Sequence, residues 1–237
     1  MHFYRENLRS RPINHKKSVL IMKKLSFFVL TGIMVFMSCK QKQNDPGPNL
    51  GKTGADTSVT VSGVAYPVVQ IGSQSWTSVN YNGPDGIFNT GNVIENTQDG
   101  KLYTSLEASQ ITLPAGWHIP TYDDYLALMI TRGATKNSDG SYSTNLAVAQ
   151  SLMTETGWSE GGGNNYSKFT ALPTGFFHLG QYYGTGNGAS FLLSALPGTP
   201  PDQAFTIGPG PNGQPFIYLG VILFDDDRCS IRFVKNN

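Results

Sequence analysis

From about Ser58 onward the apolar residues fall in short runs broken by Gly, Pro, Asn and Asp. Val59 to Val61 and Ala65 to Ile71 predict two strands around Ser62-Gly63, and Gly72-Ser73 turns the chain into a third, Gln74 to Val79. Pro67, with no N–H to give a ladder, is expected at an edge or a bulge. The period then changes. Thr121 caps a helix predicted over Tyr122 to Arg132, with Asp123 and Asp124 in its first turn and Gly133 past its end. Tyr122, Tyr125, Leu126 and Met129 would form its buried stripe. A second helix is expected from Leu146 to Thr156, and a short helical turn at Ser105 to Ser109. After Gly161-Gly162-Gly163, strands are predicted at Phe169–Leu172, Gly175–Leu179, Ala189–Ser194, Phe216–Phe224 and Ser230–Lys235. Between them, Leu196 to Gln203 and Gly208 to Gln214 are predicted as long loops, the usual place for binding residues. Two main helices amid many strands predict an α+β domain over 58–237.

Composition alters that picture at the N-terminus. The 237-residue chain has a formal net charge of +1, but seven of its 17 Lys and Arg lie in residues 1–38. The remainder carries a net charge of −5. Met22-Lys23-Lys24, the apolar run Leu25 to Met37 and Ser38-Cys39 predict a secretory signal over 1–38, too short for a membrane span of ~20 residues. Met22 is the better start, which makes residues 1–21 an expected gene-model extension. Phe36-Met37-Ser38-Cys39 resembles a bacterial lipobox, which makes Cys39 the expected lipidation site and residues 39–57 a polar tether. The location this implies is the cell envelope, lipid-anchored to the outer membrane, with the facing side open.

The chemistry is sparse. Two cysteines exclude a disulfide-stapled scaffold and a four-thiolate zinc site, and once Cys39 is lipidated Cys229 is expected to be an inert buried thiol. His118 and His178 are the only histidines after residue 38. The His118 ring is expected to be structural, satisfied by backbone. Asp225-Asp226-Asp227 is either a calcium-binding carboxylate cluster or a solvated turn, the turn being the simpler reading. Asp123 and Asp124 are explained by the helix dipole, and Glu107, Glu155 and Glu160 have no evident partner. No nucleophile elbow, HExxH or phosphate loop occurs, so an enzyme is not expected. An acidic exported chain is a poor match for nucleic acid. Aromatics among glycines remain: Tyr182 and Tyr183, expected to be exposed, and His178 are the candidate ligand-binding residues, whereas Phe176 and Phe177 are expected in the core.

Five motifs recur in a telling order: Val69 to Trp76, Tyr103-Thr104 with Glu107-Ala108, Pro114 to Thr121, Phe169 to Gly175, and Ser230 to Lys235. In this the chain resembles the Fibrobacter succinogenes major paralogous domain, a family of secreted bacterial lipoproteins, over about Val61 to Lys235. The Gly116-Trp117-His118-Ile119-Pro120-Thr121 segment is also similar to formylglycine-generating enzymes and C-type lectin-like domains. The resemblance implies a C-type-lectin-like fold with two small antiparallel sheets, two helices and a long loop region, acting by non-catalytic recognition of a glycan or an envelope protein. A structural or adhesin role is the alternative, and a hydrolase a more distant one. The lectins' sugar-binding loop is not reproduced, since Gln214-Pro215 is followed by Phe216. Leu113 and Phe233 stand where the family commonly has cysteines, which implies that an apolar contact replaces a crosslink.

Overall fold

A computed structural model describes residues 57–89, 99–139, 141–143, 146–210 and 215–237. The signal segment, Cys39 and all but the last residue of the tether lie outside the described residues. The elements run β1 (Thr57–Val61), β2 (Val64–Ile71), β3 (Gln74–Thr77), β4 (Ile87–Phe88), β5 (Lys101–Leu102), α1 (Ser105–Ser109), β6 (Trp117–His118) and α2 (Tyr122–Thr131). They continue with β7 (Thr135–Lys136), β8 (Tyr142–Ser143), α3 (Leu146–Leu152), β9 (Phe176–His178), β10 (Gln181–Tyr183), β11 (Ala189–Ser194), β12 (Pro201–Pro209), β13 (Pro215–Ile222) and β14 (Val234–Asn236). This is a mixed α+β fold of small antiparallel sheets with few helices. Among the described residues, no helix is long and apolar enough to cross a membrane.

The largest sheet has the order β1-β2-β3-β14-β6. Ser62 (φ 50) and Gly63 (φ 79) turn β1 into β2, the left-handed pair that matches strand twist in a tight hairpin. Pro67 lies inside this sheet, not at its edge, paired with Ser58 of β1. Its carbonyl accepts from the Ser78 N–H at 2.9 Å, just past the end of β3. A residue's N and C=O point to the same side of a strand, so the missing N–H faces a place where the neighbouring ladder has ended. β14 comes from the far end of the sequence and pairs with both β3 and β6.

The second sheet, β11-β12-β13, corrects the expected loops. Pro201 to Pro209 is its central strand, with Ala204, Phe205 and Ile207 buried. Prolines and glycines cluster at its two ends and hide the apolar core between them, and Pro201 is tolerated as the first strand residue. Residues 211–214 of the second expected loop lie outside the described residues. The two sheets expected are joined by three two-stranded pairs, β4-β5, β7-β8 and β9-β10. Phe169–Leu172 is not a strand: Lys168 (φ 61) and Thr170 (φ 58) interrupt extension, and only Ala171 bridges, to Met153.

Three helices form among the described residues: the two main ones expected and, as α1, the short helical turn expected at Ser105 to Ser109. Thr104 with Glu107 and Thr121 with Asp124 make complete capping boxes at α1 and α2. In α2 the buried face is Tyr125, Leu128 and Met129, with Asp124; Tyr122 is exposed and Leu126 only partly buried. α3 stops at Leu152, before the expected Thr156, because the Thr154 N–H donates to the Ala171 carbonyl at 3.0 Å. A tertiary bridge there outcompetes the next helical turn.

β11 stands between two apolar clusters. Ala189, Phe191 and Leu193 face one, with Trp76, Tyr125, Phe169 and Phe205; Leu192 faces the other, with Tyr66, Tyr81, Tyr103, Cys229 and Phe233. Leu113 packs against the cluster that holds Phe233. Tyr125 stacks on Phe205 at 4.4 Å, and its buried hydroxyl has no hydrogen-bond partner among the described residues. Tyr125→Phe removes that desolvated hydroxyl and keeps the ring, so it is expected to raise stability by about 1 kcal/mol. A urea melt showing the variant less stable than the native chain would contradict this.

Candidate functional site

The hairpin β9-β10 carries the aromatic motif. Leu179 (φ 46) and Gly180 (φ 81) form its two-residue turn, and its register pairs His178 with Gln181, Phe177 with Tyr182 and Phe176 with Tyr183. The strands therefore present Phe177 beside Tyr182, edge to face at 5.0 Å, and Phe176 stacked on Tyr183 at 5.6 Å. Tyr183 is exposed. Tyr182 is not free: it is half-buried, and its hydroxyl donates to the Phe88 carbonyl at 2.8 Å. Phe176 and Phe177 are half-buried, and Phe176 packs against the core cluster that holds Tyr103 and Phe233.

The Phe177 and Arg228 backbones exchange hydrogen bonds of 2.9 Å, which tie the hairpin to the segment after the aspartates. His178 Nδ1 lies 2.6 Å from Asp227 Oδ1, and the other oxygen of Asp227 accepts from the Phe224 N–H at 3.0 Å. Asp227 is thus a buried turn residue, whereas Asp225 and Asp226 are exposed. The three carboxylates do not converge, and among the described residues no group of three or more His, Cys, Asp or Glu could hold a metal ion. Glu107 has the partner that the sequence did not reveal: Arg228 Nη1 reaches its two oxygens at 2.8 and 2.7 Å. Burial opposes its ionisation, but hydrogen bonds from Thr104 and Arg228 hold its carboxyl below the usual range.

A cleft of about 440 Å³ opens here, lined by His178, Leu179, Leu223, Phe224 and Asp225 to Asp227. Of its lining, Leu179 is 76% exposed and Phe224 69%. The His178 ring lies 5.7 Å from Phe224 and 6.0 Å from Tyr183. Asp227 therefore fixes one side of an apolar and aromatic surface whose rim carries two solvated carboxylates.

His118 also departs from expectation. Its Nε2 is held at 2.8 Å by a carboxylate, Asp124 Oδ2, and not by backbone. Asp124 further accepts from the Thr121 N–H at 2.9 Å, the Thr121 hydroxyl at 2.7 Å, Gln74 at 2.9 Å and Asn236 at 3.2 Å. Burial would raise its pKa, but these bonds, His118 first, bring it down to about 2. Asp124 was legible as a first-turn acid suited to the helix dipole; its place in the capping box and its role as a junction of β3, β6, α2 and β14 needed the fold. Cys229 is buried, and desolvation pushes its thiol well above the ordinary range, so it is no nucleophile. Comparison of the chain with family models, curated proteins and solved structures finds no match.

Proposed function

We propose that this chain is a cell-envelope lipoprotein, held to the outer membrane by lipid on Cys39, whose domain belongs to the Fibrobacter succinogenes major paralogous domain family. In this reading the fold is C-type-lectin-like and the domain works by non-catalytic recognition of an envelope protein. The observation that carries recognition is the exposed pair Leu179 and Phe224 lining the His178 cleft. Soluble proteins rarely leave large apolar side chains together in water unless something covers them. Asp225 and Asp226 at the rim favour a partner that brings Lys or Arg to the edge of an apolar contact. The family reading is supported by its distant motifs meeting in one sheet, Trp76 on β3, Trp117-His118 on β6 and Val234-Lys235 on β14.

A glycan is the second reading, favoured by the exposed ring of Tyr183, which stacks on Phe176 as a flat platform. Photo-crosslinking from position 179 or 224 of the full chain in envelope material separates the two. A discrete protein adduct, lost in a Leu179→Ser/Phe224→Ser double variant of unchanged melting temperature, is expected. Glycan-array binding that depends on Tyr183 and not on Leu179 or Phe224 would replace the protein reading. An unaltered envelope assembly with neither adduct nor glycan would sink recognition and leave a structural role.

A further inference from the structure

β13 is the outer strand of its sheet. In the order β11-β12-β13 it pairs with β12 alone, and among the described residues no other backbone group bonds to any of Pro215–Ile222. The opposite edge differs: β11 is bridged through Ala189 to Gly175, through Phe191 to Ser230 and through Ser194 to Thr121. An antiparallel strand turns about every second N–H and C=O away from a given neighbour. β13 therefore offers a row of unpaired backbone donors and acceptors.

Native edges are commonly blunted by charge, lysine above all. Pro215–Ile222 reads PFIYLGVI and carries none. Tyr218 is 60% exposed, Val221 and Ile222 are exposed too, and the Phe216 and Tyr218 rings lie 5.2 Å apart. Gly220 (φ 84) sits at a register shift, where Leu219 pairs with Phe205 and Val221 with Ala204. Such a bulge bends the strand and breaks a ladder, so the edge suits a short partner rather than an endless stack.

We propose that β13 takes an added strand: an extended segment of a protein partner, antiparallel to it, with a Lys or Arg at the segment's N-terminal end. This rests on the reading of the domain as a protein-recognition module and adds the form of the partner. A row of N–H and C=O groups at strand spacing is matched by another backbone, with alternate side chains supplying specificity. Both ladders of the sheet are antiparallel, and antiparallel pairing is the more stable per residue. That direction brings the N-terminal end of the segment to Leu223-Phe224 and the exposed Asp225 and Asp226, which follow β13 in the chain. A copy of the same edge brings no cation there: between Lys168 and Arg228 the sequence has no Lys or Arg, and Arg228 is held by Glu107. The charge thus favours a different chain over a second copy.

The test uses the full chain and a fluorescein-labelled synthetic peptide, two lysines followed by alternating threonine and valine, read by fluorescence anisotropy. Saturable binding is expected, with slowed amide hydrogen exchange across Pro215–Ile222. The peptide N-methylated at every threonine and valine keeps side chains and charge but has no N–H there, and is expected not to bind. Moving the lysines to the C-terminal end should weaken binding severalfold. Tyr218→Lys/Ile222→Lys alters two exposed side chains and is expected to weaken binding at least tenfold with an unchanged melting temperature. No saturable binding overturns the proposal, as does equal binding of the N-methylated peptide. Dimerisation of the chain alone, with Pro215–Ile222 protected from exchange, replaces the partner with a second copy. A protein adduct from position 179 or 224 without peptide binding overturns strand addition alone; absence of both takes the recognition reading with it.

Discussion

Replacing Arg232 with Met is expected to cost about 4 kcal/mol of unfolding free energy, because several buried acceptors lose their donor at ~1–3 kcal/mol each. The side chain is fully buried. Its guanidinium donates to Asn80 Oδ1 at 2.7 Å and to the carbonyls of Thr77, Phe169 and Thr170 at 2.8, 2.7 and 2.8 Å. It also lies over the Phe169 and Phe191 rings, at 4.8 and 5.4 Å. No carboxylate is among these partners. Burial pushes the group down to about 9, so it remains charged at neutral pH and is neutralised only by carbonyl dipoles and ring faces. Arg232→Lys should recover less than half of the loss, since one ammonium cannot reach acceptors spread around a planar fork. Urea denaturation decides it: a loss below about 1 kcal/mol in the Met variant would mean that water or repacking satisfies the carbonyls.

The second large effect belongs to Asp124. Its folded pKa of about 2 lies below the ordinary value of 3.8, so its contribution is present above about pH 4 and is lost as pH falls through about 2. The shift corresponds to roughly 2 kcal/mol. Asp124→Asn should lower stability at neutral pH by at least that amount, because the amide nitrogen would face donors where an oxygen now accepts. It should also flatten the acid limb between about pH 4 and 2. Measuring unfolding free energy against pH for both chains tests the assignment. An acid limb of unchanged depth in the variant would move the responsible carboxylate elsewhere.

Both residues show where sequence reading ends. Thr121, Asp124 and Gly133 marked α2 because helix ends are local chemistry, and Ser62-Gly63 marked the first hairpin for the same reason. β12 was hidden, because proline and glycine at its termini carry the signature of a loop while its apolar interior is short. Tyr122 has the right helical spacing for the core, yet the face that is buried follows from where β12 and β13 lie, which no local pattern states. Of the candidate site, the residue types were legible and their engagements were not. Tyr182 is held by Phe88, 94 positions away, and His178 by Asp227, 49 positions away. Separations of that size leave no periodicity for a sequence to display.

The segment 228–236 gives the fold an order in time. Its residues bridge to Phe177, Tyr103 and Phe191, and β14 then fills the place between β3 and β6. Until these residues have been synthesised, β3 and β6 have no strand between them and the Arg232 carbonyls have no donor. A chain still being made is thus held short of its native state, whatever its earlier hairpins have done.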